Sequence, residues 1–105
     1  MSTVTSTVRA RLVRATQPTV YNLSMPTANT EYSQALTSST KKILIKSRDR
    51  SAQLRIAFVS GDTALLYITI EPGSVFFEEN LDLTGATIFL RSNKSSQVCE
   101  ILEWT

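Results

Sequence analysis

Residues 87–104 read Thr87-Ile88-Phe89-Leu90-Arg91-Ser92-Asn93-Lys94-Ser95-Ser96-Gln97-Val98-Cys99-Glu100-Ile101-Leu102-Glu103-Trp104. Two runs rich in apolar side chains flank the polar segment 92–96, which has the composition of a turn. In the second run Val98, Glu100 and Leu102 alternate with Cys99, Ile101 and Glu103. That two-residue period belongs to a strand, not a helix. The stretch predicts a hairpin, with strands over residues 87–91 and 97–103.

The same texture extends back toward the N-terminus. Strands are predicted at residues 32–36, 42–46, 54–59, 65–70 and 75–78. Ile43 and Ile45 share one face, and Lys42, Leu44 and Lys46 the other. Leu54, Ile56 and Phe58 alternate with Arg55, Ala57 and Val59. Residues 65–70 are so dense in apolar and β-branched side chains that they read as a strand buried on both faces. The segments between carry turn chemistry: Arg48-Asp49-Arg50-Ser51, Ser60-Gly61-Asp62-Thr63, and Glu71-Pro72-Gly73-Ser74 with Pro and Gly where a type II turn requires them. Residues 80–85 read as a loop anchored by Leu81 and Leu83. No long helix emerges. About six to eight short strands, with turns every eight to twelve residues, predict an all-β fold, a small β-sandwich or barrel-like domain of two facing sheets. From Glu31 onward the order reads as a β meander.

Residues 1–30 differ. They hold one aromatic, Tyr21, no acid, and two prolines, Pro18 and Pro26. Arg9, Arg11 and Arg14 are their only charges. The segment reads as an extended N-terminal arm with short β segments over residues 8–13 and 20–24, followed by a β-sandwich domain over residues 31–105. Such an arm suits strand addition to a neighbour's sheet, where main-chain hydrogen bonds supply affinity. The competing reading makes these residues ordinary first strands of the sandwich, or a frayed tail.

A chain of 105 residues predicts one domain. Its apolar content of 42% is too high for a disordered chain. Histidine is absent, which excludes Ser-His-Asp and Cys-His nucleophile sets and any His-bearing zinc site. A single cysteine excludes an internal disulfide. No apolar window is long enough to span a bilayer, and residues 1–8 lack a secretory signal pattern, so cytosolic synthesis without membrane association is expected. The net charge of +2 conceals a split: residues 1–55 carry nine Lys/Arg against two Asp/Glu, and residues 56–105 two against seven. Opposite halves favour head-to-tail association, unless they interleave in the fold.

No residue cluster carries a specific chemical signature. Glu78, Glu79 and Asp82 group near a turn without a calcium-loop pattern, and read as solvated loop acids. Cys99, mid-strand and with no histidine to activate it, reads as a buried structural thiol. Lys41, Lys42, Lys46, Arg48, Arg50 and Arg55 form a basic run with no aromatic between Tyr32 and Phe58, so the stacking platforms of a single-strand binder are missing and nucleic acid is an unfavoured partner. Trp104 reads as a core plug in preference to an interface anchor. No metal or cofactor is expected.

The succession of residues 29–36 and Thr40-Lys41-Lys42, then Leu54-Arg55-Ile56-Ala57-Phe58, Pro72-Gly73-Ser74-Val75-Phe76, Glu79-Asn80-Leu81-Asp82-Leu83 and Glu100-Ile101-Leu102-Glu103-Trp104-Thr105, resembles small structural proteins of tailed-bacteriophage virions. The resemblance covers roughly residues 20–105 and not the arm. It implies a non-enzymatic virion component, first of all a capsid decoration (cement) protein on the capsid exterior. Such a protein clamps neighbouring major capsid protein subunits, often as a homotrimer, after synthesis in the host cytoplasm. A neck, tail or fibre-associated component is the first alternative, and a carbohydrate- or nucleic-acid-binding β module outside any virion the second. On the cement reading, charge and pattern select Arg9, Arg11, Leu12, Arg14 and Tyr21 as partner-interface residues.

Overall fold

A computed structural model describes residues 17–37 and 39–105. Eight strands form: β1 (Thr19–Met25), β2 (Tyr32–Ala35), β3 (Lys42–Ser47), β4 (Leu54–Ala57), β5 (Ile68–Ile70), β6 (Val75–Glu78), β7 (Thr87–Ser92) and β8 (Gln97–Trp104). Among the described residues the helical content is one 3-10 turn, Asp62–Ala64. The strands make two four-stranded antiparallel sheets, β1-β8-β3-β6 and β2-β7-β4-β5. The all-β, two-sheet expectation therefore holds.

The connectivity is not a meander. Only β4 and β5 are neighbours both in sequence and in a sheet. Otherwise pairing is nested: β3 with β6, β2 with β7, and β1 with β8. This is the order of a jelly roll, in which a long folded hairpin wraps into two sheets. The expected hairpin of residues 87–103 is accordingly a crossing between sheets. β7 pairs with β2 and β4, while β8 pairs with β1 and β3. The polar segment 92–96 bonds outward to other crossings rather than across its own ends. The Asn93 amide donates to the Gln53 carbonyl at 3.1 Å, and the Ser96 amide to the Pro26 carbonyl at 2.9 Å. The Ala28 amide donates to Ser95 Oγ at 3.1 Å. Ser96 also takes a left-handed backbone, φ 58°, which a hairpin reading of its side chains does not reveal.

The core lies between the sheets. Met25, Ile43, Ile45, Leu54, Ile56, Ile88, Leu90, Cys99 and Ile101 are buried in one cluster. In β8 the buried positions are Gln97, Cys99, Ile101 and Glu103, as the alternation requires. The turn at residues 71–74 closes as expected: Gly73 has φ 80°, and the Ser74 amide donates to the Glu71 carbonyl at 2.9 Å.

The strand expected over residues 20–24 is present as β1, paired to β8 from Thr19↔Glu103 to Met25↔Gln97. Two further expectations are corrected. The strand expected over residues 65–70 shrinks to Ile68–Ile70 and lies at an edge. Leu65 and Leu66 stay in the turn, where both amides donate to the Asp62 carbonyl. The strand expected over residues 54–59 ends at Ala57, leaving Phe58 and Val59 exposed.

The sandwich rests on close packing of these inward aliphatics. Ile101→Ala is expected to lower unfolding free energy by about 3 kcal/mol, whereas Leu65→Ala is expected to change it by about 0.5 kcal/mol or less; chemical denaturation of both variants checks this.

Candidate interaction surface

The chain between β4 and β5 carries an exposed apolar run. Leu65 is 75% and Leu66 77% exposed, Val59 60%, and Phe58, Tyr67 and Ile68 are also well exposed. Apolar residues clustered this way on a surface are a signature of docking sites, unlike scattered single ones. An apolar run does not reveal which way it faces, and these side chains, expected in the core, lie outside it.

The base of this loop is firmly held. Glu31, beside the start of β2, accepts hydrogen bonds from Thr63 Oγ1 at 2.6 Å and from the Gly61 amide at 3.0 Å. The Thr63 hydroxyl, followed by the Gly61 amide, keeps the Glu31 carboxyl below its ordinary value. Thr63 is fully buried. From β4, Arg55 donates to the Thr63 carbonyl at 3.2 Å and lies over the Tyr67 ring at 4.3 Å. The loop thus presents Leu65 and Leu66 from a fixed base, which reduces the ordering cost of binding.

Next to the loop a cavity of about 340 Å³ opens between the sheets, lined by Ile43, Phe58, Ile68, Phe76, Glu78, Leu81 and Leu83. Its strands β5 and β6 each form one edge of their sheet. The lip is tied by a bridge between Thr40 and Leu83, with the Thr40 amide donating to the Leu83 carbonyl at 3.0 Å. Leu81 and Leu83 do anchor their loop, as expected. Glu78, Glu79 and Asp82 are exposed around the same lip.

Behind the lip lies a buried carboxylate. Glu103 is fully buried. It accepts from Tyr21 Oη at 2.7 Å, Thr37 Oγ1 at 2.8 Å, the Thr37 amide at 3.0 Å, and the Thr40 hydroxyl. Burial pushes its carboxyl up, but donation from Thr40, Tyr21 and Thr37 prevails and holds it below 4.5. Tyr21 responds in the opposite sense. Burial, together with its bond to the Glu103 charge, pushes its hydroxyl up to about 12. The parity of β8 signalled an inward Glu103, but its donors lie too far away in sequence to be foreseen.

The expected interface residues fare differently. Arg9, Arg11, Leu12 and Arg14 lie outside the described residues, as does the strand expected over residues 8–13. Tyr21 points inward, where its hydroxyl donates to Glu103. Trp104 is not a core plug. It lies on the outer face of its sheet, edge-on to Phe77 at 6.3 Å, with the Lys42 ammonium 5.8 Å from its ring centre. The basic run is dispersed: Lys46 and Arg48 pair with Glu100 at 3.2 and 2.9 Å, while Arg55 belongs to the other sheet. The two charge halves therefore interleave across β3 and β8. Cys99 is buried, and burial followed by the Glu100 charge raises its thiol to about 12. Among the described residues no group of three or more His, Cys, Asp or Glu side chains is placed to hold a metal. Nor, among them, is any helix long and apolar enough to cross a membrane.

No family model matches the chain, and no curated protein sequence matches it. Among solved structures it is similar to a de novo designed double-stranded beta-helix determined by solution NMR. The TM-score is 0.51 at 17% identity, over 86% of this chain and 100% of that one. At this identity the likeness speaks for the fold alone, and it agrees with the nested strand order.

Stability is expected to fall at both ends of the pH scale. The depressed Glu103 contributes fully above the unfolded value near 4.5, and this contribution is lost as pH falls through its lower folded value. Tyr21 and Cys99 contribute below 10.0 and 9.0 respectively, and lose this as pH rises toward about 12. Glu103→Gln is expected to cost about 3 kcal/mol at neutral pH and to flatten the acid limb, and Tyr21→Phe to flatten the alkaline limb. Urea unfolding across pH reads both.

Proposed function

We propose that this protein is a non-enzymatic assembly component that works by seating its apolar 58–67 loop on a protein partner. The observation that carries this reading is the exposure of Leu65 and Leu66 above a base fixed by Glu31 and Arg55. A loop built to move would not be pinned at its root, and one built only for solubility would not present leucines.

The resemblance to small tailed-phage virion proteins supplies the partner class. On that reading the protein decorates the capsid exterior and clamps neighbouring major capsid subunits, so that many weak contacts add up through avidity. A jelly-roll sandwich suits the role, because it holds its connecting loops on a packed frame where they are left to make contacts.

The isolated protein is expected to bind mature shells and raise their melting temperature. Leu65→Ser with Leu66→Ser is expected to weaken shell occupancy by about tenfold or more without lowering the thermal stability of the free protein. Absence of retention on purified heads would remove the decoration reading. Copy number per particle then separates a shell protein, at hundreds, from a neck or tail component at about a dozen or fewer.

A further inference from the structure

The cavity between β5 and β6 has a composition that selects its occupant. Its wall is Ile43, Phe58, Ile68, Phe76, Leu81 and Leu83. Glu78 also lines it, and Glu79 and Asp82, sequence neighbours of lining residues, are exposed. On one side, β6 offers an unpaired strand edge, since its partner in the sheet is β3 alone. The fitting ligand is an extended segment that alternates apolar and cationic side chains. Its main chain would extend the sheet, its apolar set would fill the slot, and its cations would meet the acidic lip.

The chain contains such a segment. Residues 8–12 read Val8-Arg9-Ala10-Arg11-Leu12, and no acid occurs before Glu31. In a strand, Val8, Ala10 and Leu12 share one face and Arg9 and Arg11 the other. The segment also leads into the correct end of the molecule. β1 begins at Thr19 opposite Glu103, and Lys42 lies opposite Trp104, so β1 starts at the end where Ile43 and Glu78 line the cavity. Yet β1 and β6 are opposite edges of their sheet, separated by β8 and β3. The edge at which β1 begins is therefore the one away from that copy's own cavity, which favours the cavity of a second copy as the acceptor.

We propose that residues 8–12 of one copy add as a strand along β6 of a second copy, with Val8 and Leu12 in the cavity and Arg9 and Arg11 on the outer side, against Glu79 and Asp82. The contact is head-to-tail, so it closes into a ring or continues as an open array according to the rotation between copies. It is tested apart from the shell reading, through Arg9, Arg11 and the acids rather than Leu65 or Leu66, although Phe58 borders both surfaces.

The experiment is sedimentation of the full-length chain with two charge variants. The first carries Arg9→Glu and Arg11→Glu; the second carries Glu79→Lys and Asp82→Lys, both at exposed positions. The wild type is expected to self-associate, and each variant alone to do so at least about tenfold more weakly, as like charges now face each other. Mixed together, the two variants are expected to regain association, since each now offers the complement of the other. A monomeric wild type would overturn the proposal, as would association that survives in either variant or fails to return on mixing. Circular dichroism of each variant verifies that it is folded. If one is not, weakening of wild-type association by salt, together with loss of association in Leu12→Asp, decides instead, and association indifferent to both would overturn the proposal. Shell binding by the Leu65→Ser, Leu66→Ser chain reports separately on the assembly reading.

Discussion

A single buried charge organises one end of this molecule. Glu103 sits on the inward face of β8, where an unpaired carboxylate would be intolerable. Its donors come from β1, through Tyr21, and from the crossing after β2, through Thr37 and Thr40. Strand β1 and the β2–β3 link must both be in place before that charge is satisfied. Thr40 in turn bridges to Leu83, which lines the cavity. The shape of the lip is thus coupled to the core through three residues, and the acids outside it stand on a fixed frame.

The opposite sheet is governed by a second carboxylate with the reverse exposure. Glu31 lies near the surface and gathers the amides and hydroxyl of the 58–67 excursion. Between them the two acids explain how so small a sandwich supports a long apolar loop. One fixes the interior end of the barrel, and the other fixes the root of the loop that leaves it. The surface ion pairs of Glu100 with Lys46 and Arg48 add little to stability by comparison, although they align β3 with β8.

Much of the fold was legible because strand parity is local. The inward set of β8, the paired isoleucines of β3 and the Pro72-Gly73 turn all follow from side-chain order. Pairing was not legible, because a period of two says which way a residue faces and not which strand lies beside it. Hence a sheet crossing at residues 92–96 read as a hairpin. The loop was misread for a related reason: Leu65, Leu66 and Tyr67 have strand composition, but the left-handed Gly61 and the turn bonds to Asp62 consume the backbone that a strand would use. Trp104 was misplaced because Ile101 and Leu102 before it occupy opposite faces, so that apolar neighbours do not decide its own. The acidic lip was visible as a cluster, but its proximity to a cavity depended on folding.

The nested strand order has a kinetic consequence. β4 and β5 alone can pair without first closing a long loop, whereas β1 and β8 join the two extremes of the described chain. Loop-closure entropy rises with each enclosing pair, so the favoured route starts at the β4–β5 turn and adds pairs outward. Such a topology is slow for its length. Until β1 arrives, β8 presents an unpaired edge and a carboxylate without its tyrosine. The last strand to dock therefore protects the chain from mispairing with its neighbours, and the interval before it docks is when that protection is missing.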